Sequence, residues 1–233
     1  MEKATIKLPL QFDTEKLKAD INQFAESDWI LHYNKRDYDG DWHIIALKAV
    51  EGNKYKIFSP FEVDEPTLYT EHMAKCPYIK EVLDTLQCET TTVRLMRLKS
   101  GARIKEHTDY NLSLDDKELR LHIPITTNPK MEFYLDKQRI ILNEGECWYL
   151  NFNLIHSLYN GGDEPRVHLV IDCEVNDWLL NILNYKDSMN CRPVWNLIHN
   201  LPMFRKCPKS NLSNAKKIEK EFITLPSSPI YGK

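Results

Sequence analysis

No CxxC pair occurs in this chain. Its six cysteines, Cys76, Cys88, Cys147, Cys173, Cys191 and Cys207, are scattered, which excludes a zinc ribbon and a thioredoxin-like motif. Cys147 and Cys173 sit inside apolar, strand-like runs and read as ordinary buried thiols, so a reducing compartment is expected. Also missing is any apolar run of transmembrane length, and the opening "MEKATIKLPLQF" has no signal-peptide character. The expectation is a soluble, cytoplasmic protein without membrane contact. Charge of one sign is absent too: 31 Lys and Arg stand against 34 Asp and Glu, a net charge of −3. A dedicated nucleic-acid binder would be strongly basic, so no nucleic-acid partner is expected. Internal repeats and low-complexity tracts are lacking as well.

What is present is a globular composition. Hydrophobic residues make up 42% of 233 positions and aromatics 10%, enough for one large domain with a real core. "FDTEKLKADINQFAESDWI" predicts a helix capped at Asp13 or Thr14, with Leu17, Ile21 and Phe24 on one face. "DWHIIALKAV" and "NKYKIFS" read as strands separated by Gly52 and Asn53, and "CPYIKEVLDTLQ" as a helix with Pro77 in its first turn.

From residue 91 to 174 the texture changes to short strands. "TVRLMRLK", "ARIKEH", "ELRLHIPIT", "MEFYL", "QRIIL", "ECWYLN", "HSLYN" and "PRVHLVIDCEV" are divided by turn-prone pieces such as "KSG", "NPK" and "GGDEP". Eight short strands at near-regular spacing suit a jelly roll, giving a mainly β fold with flanking helices. The expected organisation is a single catalytic domain over 1–178 with a jelly-roll core at 91–174. Residues 179–233 would be a helical, then polar, extension, and 205–220 read as a solvated helix.

Within the strand-rich region "IKEHTDYN" places His107 and Asp109 two apart, and residues two apart on a strand project to the same face. Such a pair can be solvated decoration, a structural hydrogen bond, or part of a metal site. A third ligand from a later strand, His156 in "FNLIHSLYN", would complete a facial triad of two histidines and one carboxylate. That set leaves adjacent positions open and is diagnostic of non-haem Fe(II) oxygenases. Taken singly, His-x-Asp is a common sequence and His156, His122 and His168 are ordinary packed or hydrogen-bonded histidines. The ordered set, with Arg166 following on its own strand, points to metal. A guanidinium at Arg166 can grip a carboxylate bidentately. Gly101, six before His107, and Asn160, four after His156, also resemble the G-x5-H and H-x3-N pieces of cupin-type jelly rolls.

The pieces "RLMRLKSGARIKEHTDYNL", "ELRLHIPI", "LNEGECWYLNFNLIHSLYN" and "PRVHLVIDCEVND" resemble the aspartyl/asparaginyl β-hydroxylase family, which includes bacterial cis-proline hydroxylases. The resemblance covers residues 91–178 and, more loosely, the N-terminal ninety. It implies a double-stranded β-helix holding Fe(II), with 2-oxoglutarate as cosubstrate and dioxygen as oxidant. Carried over residue by residue, His107, Asp109 and His156 match the iron ligands, and no catalytic residue beyond them is implied. Arg166 matches the partner of the distal 2-oxoglutarate carboxylate, and Arg120 and His122 match positions that contact the cosubstrate. Animal peptidyl hydroxylases of the family have glycine where this chain has Asp109. The full triad therefore resembles the proline-hydroxylase branch.

The reaction so implied is hydroxylation of an unactivated C–H of a free amino acid or similar small acid. The alternatives are the same chemistry on Asp, Asn or Pro residues within a peptide, or a non-catalytic jelly-roll binding protein. For a free acid the buried carboxylate needs a partner. Arg94 and Arg97 lie on opposite strand faces, and Arg94 is the choice for the inward one. Trp42, in "YNKRDYDGDWHII", lies over the site if that stretch forms a lid, or in the core if it is a hairpin. Trp148 is read as core.

Overall fold

The computed structural model describes residues 4–56, 65–184, 192–193 and 223–224. Along the chain come β1 (Thr5–Gln11), α1 (Thr14–Ile21), β2 (Ile30–Leu31), β3 (Tyr38–Asp39), β4 (Trp42–Val50), β5 (Thr67–Tyr69) and α2 (Pro77–Asp84). The strand-rich stretch follows as β6 (Thr90–Leu98), β7 (Arg103–His107), β8 (Glu118–Thr126), β9 (Met131–Leu135) and β10 (Gln138–Arg139). It ends with β11 (Glu146–Leu150), β12 (His156–Asn160), β13 (Arg166–Glu174) and α3 (Asp177–Asn184). All eight strands expected between residues 91 and 174 form.

They divide between two antiparallel sheets, as a double-stranded β-helix requires. The larger runs β1-β11-β8-β13-β6-β4-β2, with β5 also paired to β4; the smaller runs β10-β9-β12-β7-β3. Alternation along the larger sheet makes three layers. Its odd-numbered side chains, among them Leu95, Leu121, Leu169 and Ile171, pack with Leu17, Ile79, Val82 and Leu179 of the helices. Even-numbered ones, among them Ile44, Met96, Leu98 and Val170, pack with Ile104, Phe133 and Leu158 of the smaller sheet. Central strands buried on both faces lose the polar/apolar alternation of a half-exposed strand, and β6 is buried at every position.

Several expectations are corrected. The first helix stops at Ile21 instead of running through Phe24; beyond it Glu26 forms a bidentate pair with Arg97 of β6 at 2.7 Å. "IKLPLQ", unassigned above, is edge strand β1, paired to β11; an edge tolerates Pro9. Asn53–Lys56 forms a turn, closed by Lys56 N–H to the Asn53 carbonyl at 2.9 Å, where a strand was expected. Ile57–Ser59 and the expected helix over 205–220 lie outside the described residues. "YNKRDYDGDWHII" is no hairpin: β3 pairs with β7 of the smaller sheet and β4 with the larger one, so the chain crosses between sheets at Gly40.

The chain forms two compact units, Met1–Leu183 and Asn184–Lys233. In the first, α3 packs Leu179 and Leu183 into the core. In the second, Arg192–Pro193 pairs antiparallel with Ile223–Thr224. No helix among the described residues is long and apolar enough to cross a membrane.

The two spacings noted around Gly101 and Asn160 meet in one knot. The Asn160 carbonyl accepts from Gly101 N–H at 2.8 Å, and Gly101 sits at φ +73°, a conformation that favours glycine. The fully buried Asn160 side chain donates to the carbonyls of Leu98 and Glu164 (3.0 and 2.9 Å) and accepts from Asn128 and Gly162 N–H (3.0 and 3.1 Å). Asn160→Ala should cost about 1–3 kcal/mol, since it strands the buried Leu98 carbonyl; urea unfolding measures it.

Candidate metal centre

His107 ends β7 and His156 opens β12, and the two are direct cross-strand partners. One local irregularity makes this possible. Ile104 pairs with Leu158 but His107 pairs with His156, so β7 carries one extra residue between them. Simple alternation from the inward Ile104 would have turned His107 away; the bulge re-aims it into the barrel. Asp109 lies two residues beyond the end of β7, in a loop rather than a strand. Its backbone N–H donates to the Phe152 carbonyl at 3.0 Å. The ligand atoms of His107, Asp109 and His156 fall within 4.8 Å of one another.

Both imidazoles are held in the tautomer a metal needs. The Nδ1 of His107 lies 2.8 Å from the Lys105 carbonyl and that of His156 3.0 Å from the Leu154 carbonyl. A carbonyl only accepts, so each Nδ1 carries the proton and each Nε2 keeps its lone pair. Burial, with His107 close by, pushes His156 down to about 4, so its ring is neutral at physiological pH. Burial works to raise the Asp109 carboxyl, yet Arg120 and the histidines hold it below its ordinary value, as an anion. Two imidazole nitrogens and one carboxylate fit a divalent first-row metal.

Behind the carboxylate runs a row of charges placed by register. Thr92, Asp172 and Arg120 face one another across β6, β13 and β8. Arg120 holds Asp172 through Nε at 2.6 Å and a second nitrogen at 3.1 Å, and its third nitrogen reaches Asp109 Oδ2 at 2.6 Å. Arg94 and Thr92 also donate to Asp172. With Oδ2 taken by Arg120, Asp109 Oδ1, 3.7 Å from His107 Nε2, is the oxygen left for the metal.

Arg166 differs from the other two inward arginines. It is 2% exposed and donates to His168 Nδ1 at 2.7 Å, and no carboxylate pairs with it among the described residues. Burial pulls it down to about 9. Because His168 Nδ1 accepts from Arg166, the neighbouring His122 Nδ1, 3.3 Å away, must be the donor of that pair. His122 Nε2 is therefore a buried lone pair without a partner in the protein.

These groups line one cavity of about 900 Å³, with Met96, Ile104, Phe133, Phe152 and Leu158 as apolar wall. All eight sequence-derived candidates border it: His107, Asp109, His156, Arg166, Arg120, His122, Arg94 and Trp42. Arg94 faces inward, while Arg97 faces the helices and lies over Trp29 at 4.2 Å. Trp42 both lines the cavity and packs in the core. Trp148 packs against that core, donating to Glu146. Sequence reasoning missed Asp172, although a lone carboxylate in the apolar run "RVHLVIDCEV", on the parity of Arg166, was a readable signal. It also missed His32, which no motif marks.

Asp172→Ala would leave Arg94 and Arg120 as buried cations short of a carboxylate, costing about 3–5 kcal/mol in urea unfolding. Losing the anchor of Arg120 should also weaken Co(II) binding by roughly ten- to a hundredfold, read from the Co(II) absorption spectrum.

The comparisons with known proteins agree with this geometry. L-proline cis-4-hydroxylase of Rhizobium meliloti (strain 1021) is 28% identical over 168 residues, covering 71% of this chain and 59% of that protein. L-proline cis-3-hydroxylase 1 of Streptomyces sp is 25% identical over 169 residues, covering 70% and 57%. The matches thus span less than two thirds of each relative's own length. A solved oxidoreductase of the 2OG-Fe(II) oxygenase family from Burkholderia pseudomallei superposes with a TM-score of 0.53 at 14% identity, covering 74% of this chain and 86% of that one; it bears on the fold alone. The family pattern described as Aspartyl/Asparaginyl beta-hydroxylase matches residues 11–175, and this chain belongs to that family.

Proposed function

We propose that this protein is an Fe(II)- and 2-oxoglutarate-dependent hydroxylase of a free amino acid or similar small acid. One observation carries the reading: a buried, carboxylate-free guanidinium, Arg166, opens onto the same cavity as a ready facial triad. A buried cation that lacks an internal counter-ion calls for an anionic ligand. The relatives named as L-proline cis-hydroxylases support the small-substrate form of the reading.

In this reading His107, Asp109 and His156 hold iron, which when bound supplies the oxidising chemistry that no side chain here can perform. The protein supplies the rest. Lys105 and Leu154 carbonyls fix the ligand tautomers, and Arg120 presents one carboxylate oxygen. Arg166 takes the distal carboxylate of 2-oxoglutarate, with His122 beside it. Arg94 and Trp42 border the space left for the substrate, and the apolar wall excludes water from the reacting C–H.

His107→Ala and His156→Ala should each abolish succinate release from 2-oxoglutarate; wild-type release in either, with metal still bound, overturns the ligand assignment. Arg166→Leu should retain metal but raise the 2-oxoglutarate requirement sharply, by about 2–5 kcal/mol in binding. Screening the free amino acids, and peptides containing Asp, Asn or Pro, for stimulated succinate release decides between the free and peptidyl forms.

A further inference from the structure

His32 belongs neither to the triad nor to the arginine row, yet its ring is fixed on almost every side. Its backbone N–H donates to the Trp42 carbonyl at 2.8 Å and its carbonyl accepts from the Tyr38 hydroxyl at 3.0 Å. The imidazole stacks on Trp42 at 3.7 Å between centroids, nearly parallel at 6°, and on Tyr33 at 4.7 Å. Tyr38 meets it edge-on at 6.2 Å. Its Nδ1 accepts from Asn34 N–H at 3.2 Å.

That last contact sets the tautomer. With the Nδ1 lone pair engaged, the proton of a neutral ring sits on Nε2. Burial, with Arg94 next in effect, holds the ring far towards neutral, at about 3. Both ring faces and the Nδ1 edge are covered, so the Nε2 edge is what His32 presents as a lining residue of the triad's cavity. Among the described residues nothing accepts from that N–H. The indole N–H of Trp42, in the same stack, is buried without a partner. A ring needed only for stacking would not require a polar edge there. The stack offers N–H donors to the cavity, so its complement is an oxygen acceptor, and a carboxylate oxygen is the strongest of these.

We propose that His32 is a substrate-binding residue whose Nε2–H receives the carboxylate of the amino-acid substrate, with the Tyr33–His32–Trp42 stack as its mount. The proposal rests on the hydroxylase reading and adds a specificity residue to it: Arg166 serves the cosubstrate, and His32 the prime substrate.

The test is calorimetric titration without dioxygen, so that binding is read apart from turnover. L-Proline, then each other free amino acid, is titrated into protein loaded with Fe(II) and 2-oxoglutarate. His32→Phe keeps the stack and removes the N–H; His32→Gln restores a donor. Against the best-bound amino acid, His32→Phe should bind roughly ten- to a hundredfold more weakly, the worth of a hydrogen bond to a charged group. His32→Gln should recover part of that loss, and 2-oxoglutarate should bind all three proteins alike, which also reports that each is folded. Equal amino-acid binding by wild type and His32→Phe overturns the proposal, as does the absence of any amino-acid binder. Failure of the hydroxylase reading shows separately, as wild-type protein that does not bind 2-oxoglutarate.

Discussion

A carboxylate shared by two guanidiniums in the middle of the larger sheet, Asp172 between Arg94 and Arg120, is what the candidate site hangs on. Three charged groups buried there would be costly singly, and are tolerable because each satisfies the others. Burial works to raise the Asp172 carboxyl, but the two arginines hold it far below its ordinary range. From this anchor Arg120 reaches out to Asp109, which lies in a loop with little regular structure of its own. The buried middle of the larger sheet thus orients a carboxylate that lies outside any strand.

The same accounting separates the three inward arginines by role. Arg94 and Arg120 have carboxylate partners within the protein; Arg166 has a neutral imidazole instead. Protein charges that already balance hold a site in shape. One left unbalanced and buried sets the charge of what enters. Arg166 is such a charge, and the imidazoles His122, His156 and His32 are all kept neutral by burial.

Two-sided burial lets one sheet do two jobs. On β8 and β13 the odd positions build the helix-facing core, while Arg120, His122, Arg166, His168 and Asp172 share the other face. A slip of one residue in register would exchange these faces and bury the charges under the helices. Continuous hydrophobic pairing on the helix side is therefore also what keeps the chemistry pointed inward.

Much of this was legible in the chain itself. Turn residues and alternation marked all eight strands between residues 91 and 174, and the order His107, Asp109, His156, Arg166 marked the site, because these signals are local. Parity placed Arg94 and Arg97 on opposite faces, and the packing of the two sheets decided that Arg94 is the inward one. Tertiary structure decided the rest. The bulge that turns His107 inward exists only in the pairing of β7 with β12. Edge strand β1 exists only because β11, some 140 residues later, gives it a partner. Asp172 finds Arg94 across 78 residues of chain, and His32 acquires its stack only where β4 brings Trp42 beside it. Local sequence determines which residues can alternate, turn or bind a metal. Which of them meet is set by cross-strand register and burial, and those are properties of the whole fold.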